Sequence, residues 1–456
     1  MAQKPSIPKG TRDFSSLEVS KRNYIMDIMR TSFINYGYQP IETPSFEKSE
    51  TLMGKYGEEG DRLIFKILNS GDFLKKTDIG YLKEKNSLKV TSSISEKALK
   101  YDLTVPFARY VVQHQNDLTF PFKRSQIQPV WRADRPQKGR FREFYQCDAD
   151  VVGSKSLWQE VELIQLYDDV FSQLHLAGVT IKLNNRKVLT GIAEVIGAND
   201  KLIDFTIALD KLDKIGEEGV KTEMLSKGIT EEALEKLTPL FNLKGSTTDQ
   251  LLALKNILAT SETGLKGIEE LEFICEAFQT LELKVANLEL DVTLARGLNY
   301  YTGAIVEVSP PKTVQLGSIG GGGRYDDLTG IFGLKDMSGV GISFGLDRIY
   351  LVLEELNLFP PTIVANTKVL FINFGDKESL YAMQAMAVLR KNKIACELYP
   401  DSAKMGKQMG YADKRAIPYV ILAGDKEISS QSFTLKNMKS GEQSECNIQQ
   451  LLDVFN

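Results

Sequence analysis

An arginine followed by a glycine and then by two tyrosines is the group of residues in this chain whose types and spacing best suit chemistry: Arg296-Gly297 and Tyr300-Tyr301. A guanidinium presents a rigid fork of donors that fits phosphate or carboxylate. Each tyrosine adds an apolar ring with a polar tip, which can enclose and hydrogen-bond a small planar ligand. The β-branched run 304–308 is typical of a buried strand. Taken alone, the motif is also compatible with a strand-edge arginine beside two core tyrosines.

Residues 130–150 hold a second group, in which basic side chains are dense: Arg132, Arg135, Lys138, Arg140 and Arg142. Pro136 and Gly139 predict a loop between two strands. Alternate residues of a strand share one face, so the second strand places four side chains together: Phe144, Gln146, Asp148 and Asp150. This polar face with one aromatic residue predicts the floor of a pocket for an anionic, aromatic-stacked ligand such as a nucleotide. The alternative is a solvated basic hairpin.

Two further segments could contribute to a site. Asp102 and Thr104 alternate with apolar residues, which predicts a strand with a carboxylate and a hydroxyl on one side, suited to an ammonium group. The alternative is a half-exposed strand face. In 339–348, glycines let a strand approach another backbone or a ligand, and Arg348 begins the next helix. The glycines of 320–323 have the same effect. Neither segment has the spacing of a Rossmann or P-loop motif.

The elements that must position these residues fall into four predicted segments of the chain. Runs rich in β-formers indicate an antiparallel sheet: Leu63–Leu68, Lys89–Thr91, Ile127–Trp131 and Glu143–Ala149. An acidic, Leu- and Lys-rich helical pattern follows, and residues 359–362 are typical of a linker. Alternating strands and helices beyond it predict an α/β unit with a mostly parallel sheet. The predicted boundaries are 1–185, 186–283, 284–360 and 361–456.

Composition restricts the possible functions. The chain has 456 residues, a net charge of −4 and only two histidines, so a histidine triad or a His-rich metal site is not expected. Four cysteines without a CxxC spacing indicate neither a zinc site nor disulfides. No apolar run approaches the ~18 residues of a membrane span, and the N-terminus lacks the apolar core of a signal peptide. We therefore expect a cytoplasmic protein that acts by positioning and electrostatics.

An early predicted helix (17–36) and strand that end at Pro44, the hairpin with Arg132, and the glycine-rich strand before Arg348 together resemble motifs 1, 2 and 3 of the class II aminoacyl-tRNA synthetases. The segment ARGLNYYTG at 295–303 resembles the signature of the histidyl-tRNA synthetases, as do Pro8–Phe14 and YDLTVPFARY at 101–110. The resemblance runs from about residue 8 to the C-terminus and is weakest in 186–283. It implies an α/β (α+β) fold: a class II antiparallel sheet flanked by helices, a helical insertion, and a C-terminal α/β anticodon-binding domain of the class IIa type.

The resemblance also implies an activity. Histidine and ATP would form histidyl-adenylate, and the histidyl group would pass to the terminal ribose of tRNA(His), with no covalent enzyme intermediate. Mg²⁺ is expected with the ATP phosphates, although no carboxylate cluster identifies its ligands, and no structural zinc is expected. A homodimer is expected, formed through residues 24–47 with Pro44. No membrane partner is implied.

Roles for individual residues follow from the resemblance alone. Arg132 and Arg296, the implied catalytic cations, would bind the α-phosphate from opposite sides. The other implied ATP-binding residues are Asp134, Phe144 and Arg348. The implied histidine-binding residues are Asp102, Thr104, Gln146, Asp150, Arg296, Tyr300 and Tyr301. The implied tRNA-binding residues are Arg135 and Gln137 in the hairpin loop, and Lys404 and Lys407, with Lys414 and Arg415, in the C-terminal unit.

Some positions depart from the family pattern. Asn299 stands where the family more often has Asp, and Asp134 where it usually has Glu. The loop 135–139 matches the bacterial form of the family, whereas 101–110 matches the eukaryote-like form. Two alternatives to a synthetase remain: a noncatalytic, synthetase-like regulatory subunit of ATP phosphoribosyltransferase, and a bare RNA-binding module. The first lacks the anticodon domain and has a degraded set of active-site arginines. The second does not explain the arginine–tyrosine signature.

Overall fold

The computed structural model describes residues 4–241, 243, 245–295, 300–363 and 367–455. The chain divides into two compact units. The first contains Met1–Asp13 and Lys21–Phe359, and the second contains Phe14–Ser20 and Pro360–Asn456. None of the helices in the described ranges has the length and apolar character that a membrane crossing requires.

An eight-stranded, mostly antiparallel sheet forms the centre of the first unit. Its strands lie in the order β1-β5-β6-β11-β10-β9-β7-β8. Only the pairs β1·β5 and β7·β8 are parallel. The strands are β1 (Gln39–Pro40), β5 (Phe122–Trp131), β6 (Glu143–Val152), β7 (Val179–Asn185), β8 (Ala286–Leu290), β9 (Ala304–Ser309), β10 (Gly320–Asp326) and β11 (Ser338–Gly345). The predicted antiparallel sheet is therefore confirmed.

A second, three-stranded sheet and further helices accompany the large sheet in residues 16–173 and 346–355. The small sheet has the order β2-β4-β3, with β2 (Phe46–Lys48), β3 (Lys66–Ile67) and β4 (Lys97–Leu99). The helices are α1 (Ser16–Asn35), α2 (Ser49–Leu52), α3 (Gly57–Leu63), α4 (Ile79–Lys83), α5 (Ser87–Ile94), α6 (Thr104–Gln113), α7 (Trp158–Gln173) and α14 (Leu346–Glu355). Helix α7 packs Tyr167 against Phe344 of β11, with ring centroids 4.6 Å apart.

Residues 186–280 form helices α8 to α13, as the sequence pattern predicted for this region. They are α8 (Arg186–Ile196), α9 (Leu202–Leu209), α10 (Leu212–Ser226), α11 (Glu231–Phe241), α12 (Thr247–Ile257) and α13 (Glu262–Thr280). Helices α8 and α13 cross at two glycines, because a β-carbon at Gly191 would lie 2.5 Å from the Cα of Gly264. Only residues without a side chain allow the two backbones to approach this closely.

The second unit is an α/β domain with a five-stranded sheet in the order β13-β12-β14-β15-β16. Its elements are β12 (Val369–Phe371), α15 (Asp376–Lys391), β13 (Cys396–Leu398), α16 (Met405–Lys414), β14 (Tyr419–Leu422), α17 (Asp425–Ser430), β15 (Phe433–Asn437), β16 (Gln443–Cys446) and α18 (Ile448–Phe455). Strand β12 pairs in parallel with β13 and β14, but β14·β15 and β15·β16 are antiparallel. The prediction of a mostly parallel sheet was wrong for this last part.

Three local strand predictions were also wrong. Residues Lys89–Thr91 lie in α5, where the side chain of Asn86 accepts a hydrogen bond from the Lys89 backbone N–H at 3.2 Å. The segment Leu63–Leu68 contributes the end of α3 and only the two-residue β3. Thr104 begins α6 rather than continuing a strand. In the first case the N-cap residue Asn86 bonds a backbone N–H of the first turn, and in the last case Asp102, just before the N-cap, accepts from the Val105 N–H. Such local hydrogen bonding outweighs a short β-branched pattern.

Candidate active site

A cleft of about 360 Å³ lies over the eight-stranded sheet, within the range of ~300–1,000 Å³ typical of ligand sites. It collects side chains from distant parts of the chain, including the start of α6, the loop between β5 and β6, and the start of α14. The predicted site residues that line it are Asp102, Thr104, Arg132, Asp134, Phe144, Gln146, Asp150, Tyr300, Tyr301 and Arg348. The fold thus places these residues around one cavity.

Other predicted residues lie elsewhere. Arg296 and Asn299 fall outside the described residues. Arg135 and Gln137 are exposed in the loop between β5 and β6, and they are not part of the cleft lining. Both side chains are therefore accessible from solvent, outside the cleft.

The basic residues predicted on the C-terminal unit are exposed at or near α16. Lys404 directly precedes the helix, and Lys407 lies in its first turn. Arg415, at the other end, forms an ion pair of 2.7 Å with Glu397. The two lysines therefore present ammonium groups at the helix N-terminus, while Arg415 is engaged within its own unit.

The alternating side chains of β6 form the floor of the cleft, as the strand pattern predicted: Phe144, Gln146, Asp148 and Asp150 all line it. Gln146 Nε2 donates to Ser343 Oγ at 3.1 Å. Two buried acceptors on this row, Gln146 Oε1 and Asp150 Oδ2, have no hydrogen-bond partner among the described residues. Asp150 Oδ2 does lie 2.9 Å from the Arg124 guanidinium, in an ion pair. Because such oxygens have two lone pairs and buried polar atoms are normally paired, both remain suited to accept from donors of a ligand.

Asp102 holds a buried carboxylate at the entrance to α6. Its Oδ1 accepts from the Tyr56 hydroxyl at 2.8 Å and from the Val105 backbone N–H at 3.2 Å. Its Oδ2 lies 3.3 Å from the Tyr300 hydroxyl. Burial raises the pKa of Asp102, while the two tyrosines, the Val105 N–H and the nearby Arg132 cation oppose that shift. A carboxylate in this setting gains from an additional cationic partner, such as an ammonium group.

Tyr300 and Tyr301 pack edge to face, with ring centroids 4.9 Å apart. Burial raises the pKa of Tyr301, and the charges of Asp150, Asp102 and Asp148 raise it further. The Tyr301 hydroxyl therefore stays protonated at neutral pH and can act as either a donor or an acceptor. A carboxylate and a hydroxyl around one cavity together offer the partners that a neutral imidazole needs, one acceptor and one donor.

Two arginines line the cleft from different elements. Arg132 Nε donates to the Tyr101 carbonyl at 3.0 Å, and its guanidinium carbon lies 5.2 Å from the centre of the Phe144 ring. Arg348 Nε donates to the Gly139 carbonyl at 3.0 Å, which ties α14 to the loop between β5 and β6. These contacts fix both cations at the cleft, with Arg132 beside the Phe144 ring, an arrangement that suits a phosphate-bearing aromatic ligand.

The glycines predicted to approach a ligand also serve the sheet itself. Gly320 and Gly322 lie in β10 and line the cleft. A β-carbon at Gly322 would lie 2.1 Å from the Gly341 carbonyl oxygen on β11, and one at Gly320 would lie 2.9 Å from the Tyr167 ring. These positions exclude larger residues because neighbouring elements already occupy the space.

Several residues around the cleft were not singled out from the sequence. Tyr325 of β10 donates its hydroxyl hydrogen to Asp150 Oδ1 at 2.6 Å. Asp347, next to Arg348, accepts from the Tyr145 N–H at 3.1 Å and forms ion pairs with Arg12 and Arg22. The partners in these pairs are far apart in the sequence, so no local spacing could indicate them.

Arg124 is the other residue that was missed, and it did leave a signal in the sequence. Polar residues alternate along the first half of β5 as Arg124, Gln126 and Gln128, which is unusual for a central strand. In the sheet these three face Asp150, Asp148 and Gln146 of β6, respectively. The alternation could have indicated a second polar row beside the one on β6.

Comparisons with known proteins agree with this geometry. A family model described as histidyl-tRNA synthetase matches residues 72–349, and one described as anticodon binding domain matches residues 368–456. A histidine–tRNA ligase of Christiangramia forsetii is 75% identical over 97% of each chain. A histidine–tRNA ligase of Flavobacterium johnsoniae is 67% identical, again over 97% of each chain.

A solved structure is similar over nearly the whole length. The crystal structure of histidyl-tRNA synthetase from Nostoc sp. PCC 7120 superimposes with a TM-score of 0.81 at 32% sequence identity. The match covers 100% of this chain and 99% of that one. The similarity therefore includes both compact units rather than the region of the cleft alone.

Proposed function

The chain belongs to the histidyl-tRNA synthetase family, and we propose that it is a histidine–tRNA ligase that uses ATP to join L-histidine to tRNA(His). In the first step a carboxylate oxygen of histidine attacks the α-phosphorus of ATP, which forms histidyl-adenylate and releases pyrophosphate. In the second step a hydroxyl of the terminal ribose of the tRNA attacks the histidyl carbonyl, and AMP leaves. Neither step requires a covalent bond to the protein.

The observation that carries this proposal is a pair of buried acceptors on β6 that no hydrogen bond from the part of the chain that the structure describes satisfies, one of which, Asp150 Oδ2, is in ion-pair contact with Arg124. Gln146 Oε1 and Asp150 Oδ2 are buried, line the cleft and lack hydrogen-bond partners among the described residues. Histidine has two donors to match them, the α-ammonium group and one ring N–H. We assign the ammonium to Asp102, Thr104 and Gln146. We assign the imidazole ring to Asp150 and Tyr301. Tyr300 supports the site through its contact with the Asp102 carboxylate.

The nucleotide belongs to the cationic part of the cleft. We assign the α-phosphate and the substrate carboxylate to Arg132, the adenine ring to Phe144, and the adenine amino group to Asp134. Arg348 flanks the adenine and reaches the γ-phosphate. Bringing a carboxylate to a phosphate joins two anions, so fixed guanidinium groups stabilise the transition state more than they stabilise the separate substrates.

Arg296 remains a prediction from its motif, because it lies outside the described residues. We assign it to the α-phosphate, opposite Arg132, and to the histidine carboxylate. Asn299, in the same stretch, lacks the charge that an aspartate would bring beside this arginine. We expect an Asn299→Asp variant to alter adenylation kinetics rather than the choice of amino acid.

We assign tRNA binding to both compact units. Arg135 and Gln137, exposed between β5 and β6, would contact the acceptor end, and Lys404 and Lys407 would contact the anticodon arm. In this scheme residues 1–185 and 284–360 form the catalytic domain, 186–283 a helical insertion, and 361–456 the anticodon-binding domain. The match of residues 368–456 to an anticodon-binding model supports the last assignment.

We propose that Mg²⁺ binds together with ATP. Within the described parts of the chain, no three His, Cys, Asp or Glu side chains cluster as metal ligands. Mg²⁺ commonly binds through substrate phosphates and one or two carboxylates, so we treat Mg²⁺–ATP as the substrate and derive no step through the ion. We further propose a homodimer formed through residues 24–47, and a cytoplasmic location, where tRNA is charged.

The regulatory-subunit alternative is not favoured. Relatives named histidine–tRNA ligase match the chain over nearly its full length, and the anticodon-binding model matches its C-terminal unit. Both Arg132 and Arg348 line the cleft. A noncatalytic subunit would have no need for this combination of residues.

ATP–pyrophosphate exchange tests the proposal, because it reports adenylation without tRNA. With Mg²⁺ present we expect exchange with histidine and with no other standard amino acid. Arg132→Gln should lower kcat/KM by about 100-fold or more, as expected for loss of a charge-stabilising group. Arg390→Gln, an exposed arginine of the second unit, is the control and should leave exchange unchanged. No exchange with histidine by folded wild-type protein would overturn the assignment.

A further inference from the structure

A buried arginine lies directly beside the residues assigned to the imidazole ring. Arg124 of β5 faces Asp150 of β6 across the sheet, and its side chain has no solvent exposure. Its Nη2 lies 2.9 Å from Asp150 Oδ2 and 3.6 Å from Asp148 Oδ2. The arginine therefore bridges two buried carboxylates, and one of them is the candidate partner of the substrate ring.

Other contacts hold the Arg124 guanidinium in place. Its Nη1 donates to Gln126 Oε1 at 3.1 Å, and its Nη2 lies 3.5 Å from the Leu103 carbonyl oxygen. The guanidinium carbon stands 4.5 Å from the centre of the Phe107 ring of α6. A planar cation in contact with an aromatic ring and two carboxylates has little freedom to reorient.

Asp150 is correspondingly fixed at both oxygens. Oδ1 accepts from Tyr325, while Oδ2 is in ion-pair contact with Arg124 and is also the acceptor without a hydrogen-bond partner among the described residues. One lone pair of Oδ2 thus stays available to the cleft. When both carboxyl groups are ionised, Asp148 and Asp150 with Arg124 carry a net charge of −1, so the arginine cancels one of the two negative charges.

We propose that Arg124 is a positioning and specificity residue for histidine, which keeps the Asp150 carboxylate ionised and oriented to accept the N–H of the substrate imidazole. This role rests on the proposed function, since it concerns how the same cleft recognises its amino acid. It adds to the recognition set a cation that does not itself face the ligand. A ring without an N–H would leave the fixed Oδ2 unpaired, and such unpaired groups give strong discrimination.

The electrostatic surroundings of Asp150 agree with a role for Arg124 in keeping this carboxylate ionised. Burial raises the pKa of Asp150, and Arg124 together with the Tyr325 hydroxyl opposes the rise. The titratable and charged groups around the pair come from several elements and segments: Asp148, Asp102, Lys100, Tyr300, Tyr301 and Tyr325. Removing the cation would leave two carboxylates in one buried site, and at least one of them would then bind a proton at a higher pH.

The test compares Arg124→Met with Lys123→Met. Lys123 is the next residue on β5, and its ammonium group binds Glu162 and the Tyr36 carbonyl instead. Exchange kinetics should be measured for histidine and for ATP from pH 6 to pH 9. In R124M we expect the histidine KM at pH 7.5 to rise by about tenfold or more, with a change of less than about threefold in the ATP KM. K123M should match the wild type for both substrates.

Two readouts separate this role from a purely structural one. The histidine KM of R124M should recover towards the wild-type value as the pH rises, because Asp150 then ionises without the arginine. The preference for histidine over β-(2-thienyl)alanine, which has a ring of similar size but no N–H, should fall by about the same factor as the histidine affinity. Protonation of the histidine substrate itself affects every variant equally, so it cancels when the KM of R124M is divided by that of the wild type at the same pH.

An R124M variant whose histidine KM is unchanged, or whose histidine and ATP KM values rise together, would overturn the role of Arg124. If R124M does not fold, Arg124→Lys keeps a cation but not the planar fork. R124K should then raise the histidine KM but not the ATP KM. If it raises both or neither, the proposed role of Arg124 is overturned. A wild type with no exchange activity would instead overturn the proposed function.

Discussion

Gly341 and Asp150 face each other on neighbouring strands, and a β-carbon at Gly341 would lie 2.0 Å from Asp150 Oδ1. The space that an ordinary residue would fill on β11 is thus occupied by the carboxylate that we assign to the imidazole. A glycine in the middle of a strand weakens that strand. Here its absence of a side chain is what allows the acidic residue to lie in the floor of the cleft.

Gly341→Ala is expected to impair histidine binding. The added methyl group must displace Asp150, so we expect kcat/KM for histidine to fall by about 10- to 100-fold and stability to fall by about 1–3 kcal/mol. Exchange kinetics and denaturant unfolding measure the two effects. Gly410→Ala in α16, where a β-carbon meets nothing within 4 Å, is the control and should be neutral or slightly stabilising. An active G341A enzyme with an unchanged histidine KM would contradict the assignment of Asp150.

Tyr301→Phe is expected to raise the histidine KM with little change in the ATP KM. Loss of one buried hydrogen-bonding group costs about 1–3 kcal/mol, which corresponds to a factor of about 5 to 150. Tyr381→Phe removes a hydroxyl that bonds the Ser432 carbonyl in the second unit, so it matches the chemical change outside the cleft. If the two variants show the same histidine KM, Tyr301 does not contact the substrate.

The stability of the protein should depend on Lys100 in alkaline solution. Lys100 is fully buried, and its ammonium group donates to the Thr43 carbonyl at 3.1 Å and to Gln128 Oε1 at 2.8 Å. Burial lowers its pKa from 10.5 to about 8. Between these values the unfolded chain binds more protons than the native protein, so this residue makes the protein more stable as the pH rises from about 8 to 10.5.

Lys100→Met removes that dependence. We would measure denaturant unfolding of both proteins at pH 7, 8, 9 and 10. Over this range the free energy of unfolding of the wild type should increase, relative to that of K100M, by as much as about 3 kcal/mol. The absolute stability of K100M also reflects the two acceptors that lose a donor, so the difference in slope is the informative quantity. Parallel pH curves would show that Lys100 keeps an ordinary pKa in the native protein.

Thiol reactivity provides an independent check on burial. Burial, together with the charges of the nearby Glu272 and Glu276, raises the pKa of Cys275 to about 11. Since only the thiolate reacts, alkylation of Cys275 in the native protein should accelerate about tenfold per pH unit from pH 8 to pH 10. Mass spectrometry can follow the site, and urea-unfolded protein is the reference. A rate that levels off near pH 9 would indicate an exposed thiol of ordinary pKa.

The sequence by itself determined the kind of chemistry. The alternation of Phe144, Gln146, Asp148 and Asp150 follows from the two-residue period of a single strand, and the position of Arg348 follows from the boundary between a strand and a helix. Both features depend on neighbouring residues only, so they can be predicted without knowledge of the fold. The same is true of the helical pattern in residues 186–283.

Only the tertiary structure decided which residues meet. The partner of Asp150 on one side is Tyr325, 175 positions away, and on the other side Arg124, placed there by the register of β5 on β6. A shift of one residue in that register would turn Arg124 to the opposite face of the sheet. Strand order and register are set by packing across the whole sheet. Local patterns marked the glycines of β11 and the polar alternation of β5, but they could not show that Gly341, Tyr325 and Arg124 meet at the Asp150 carboxylate.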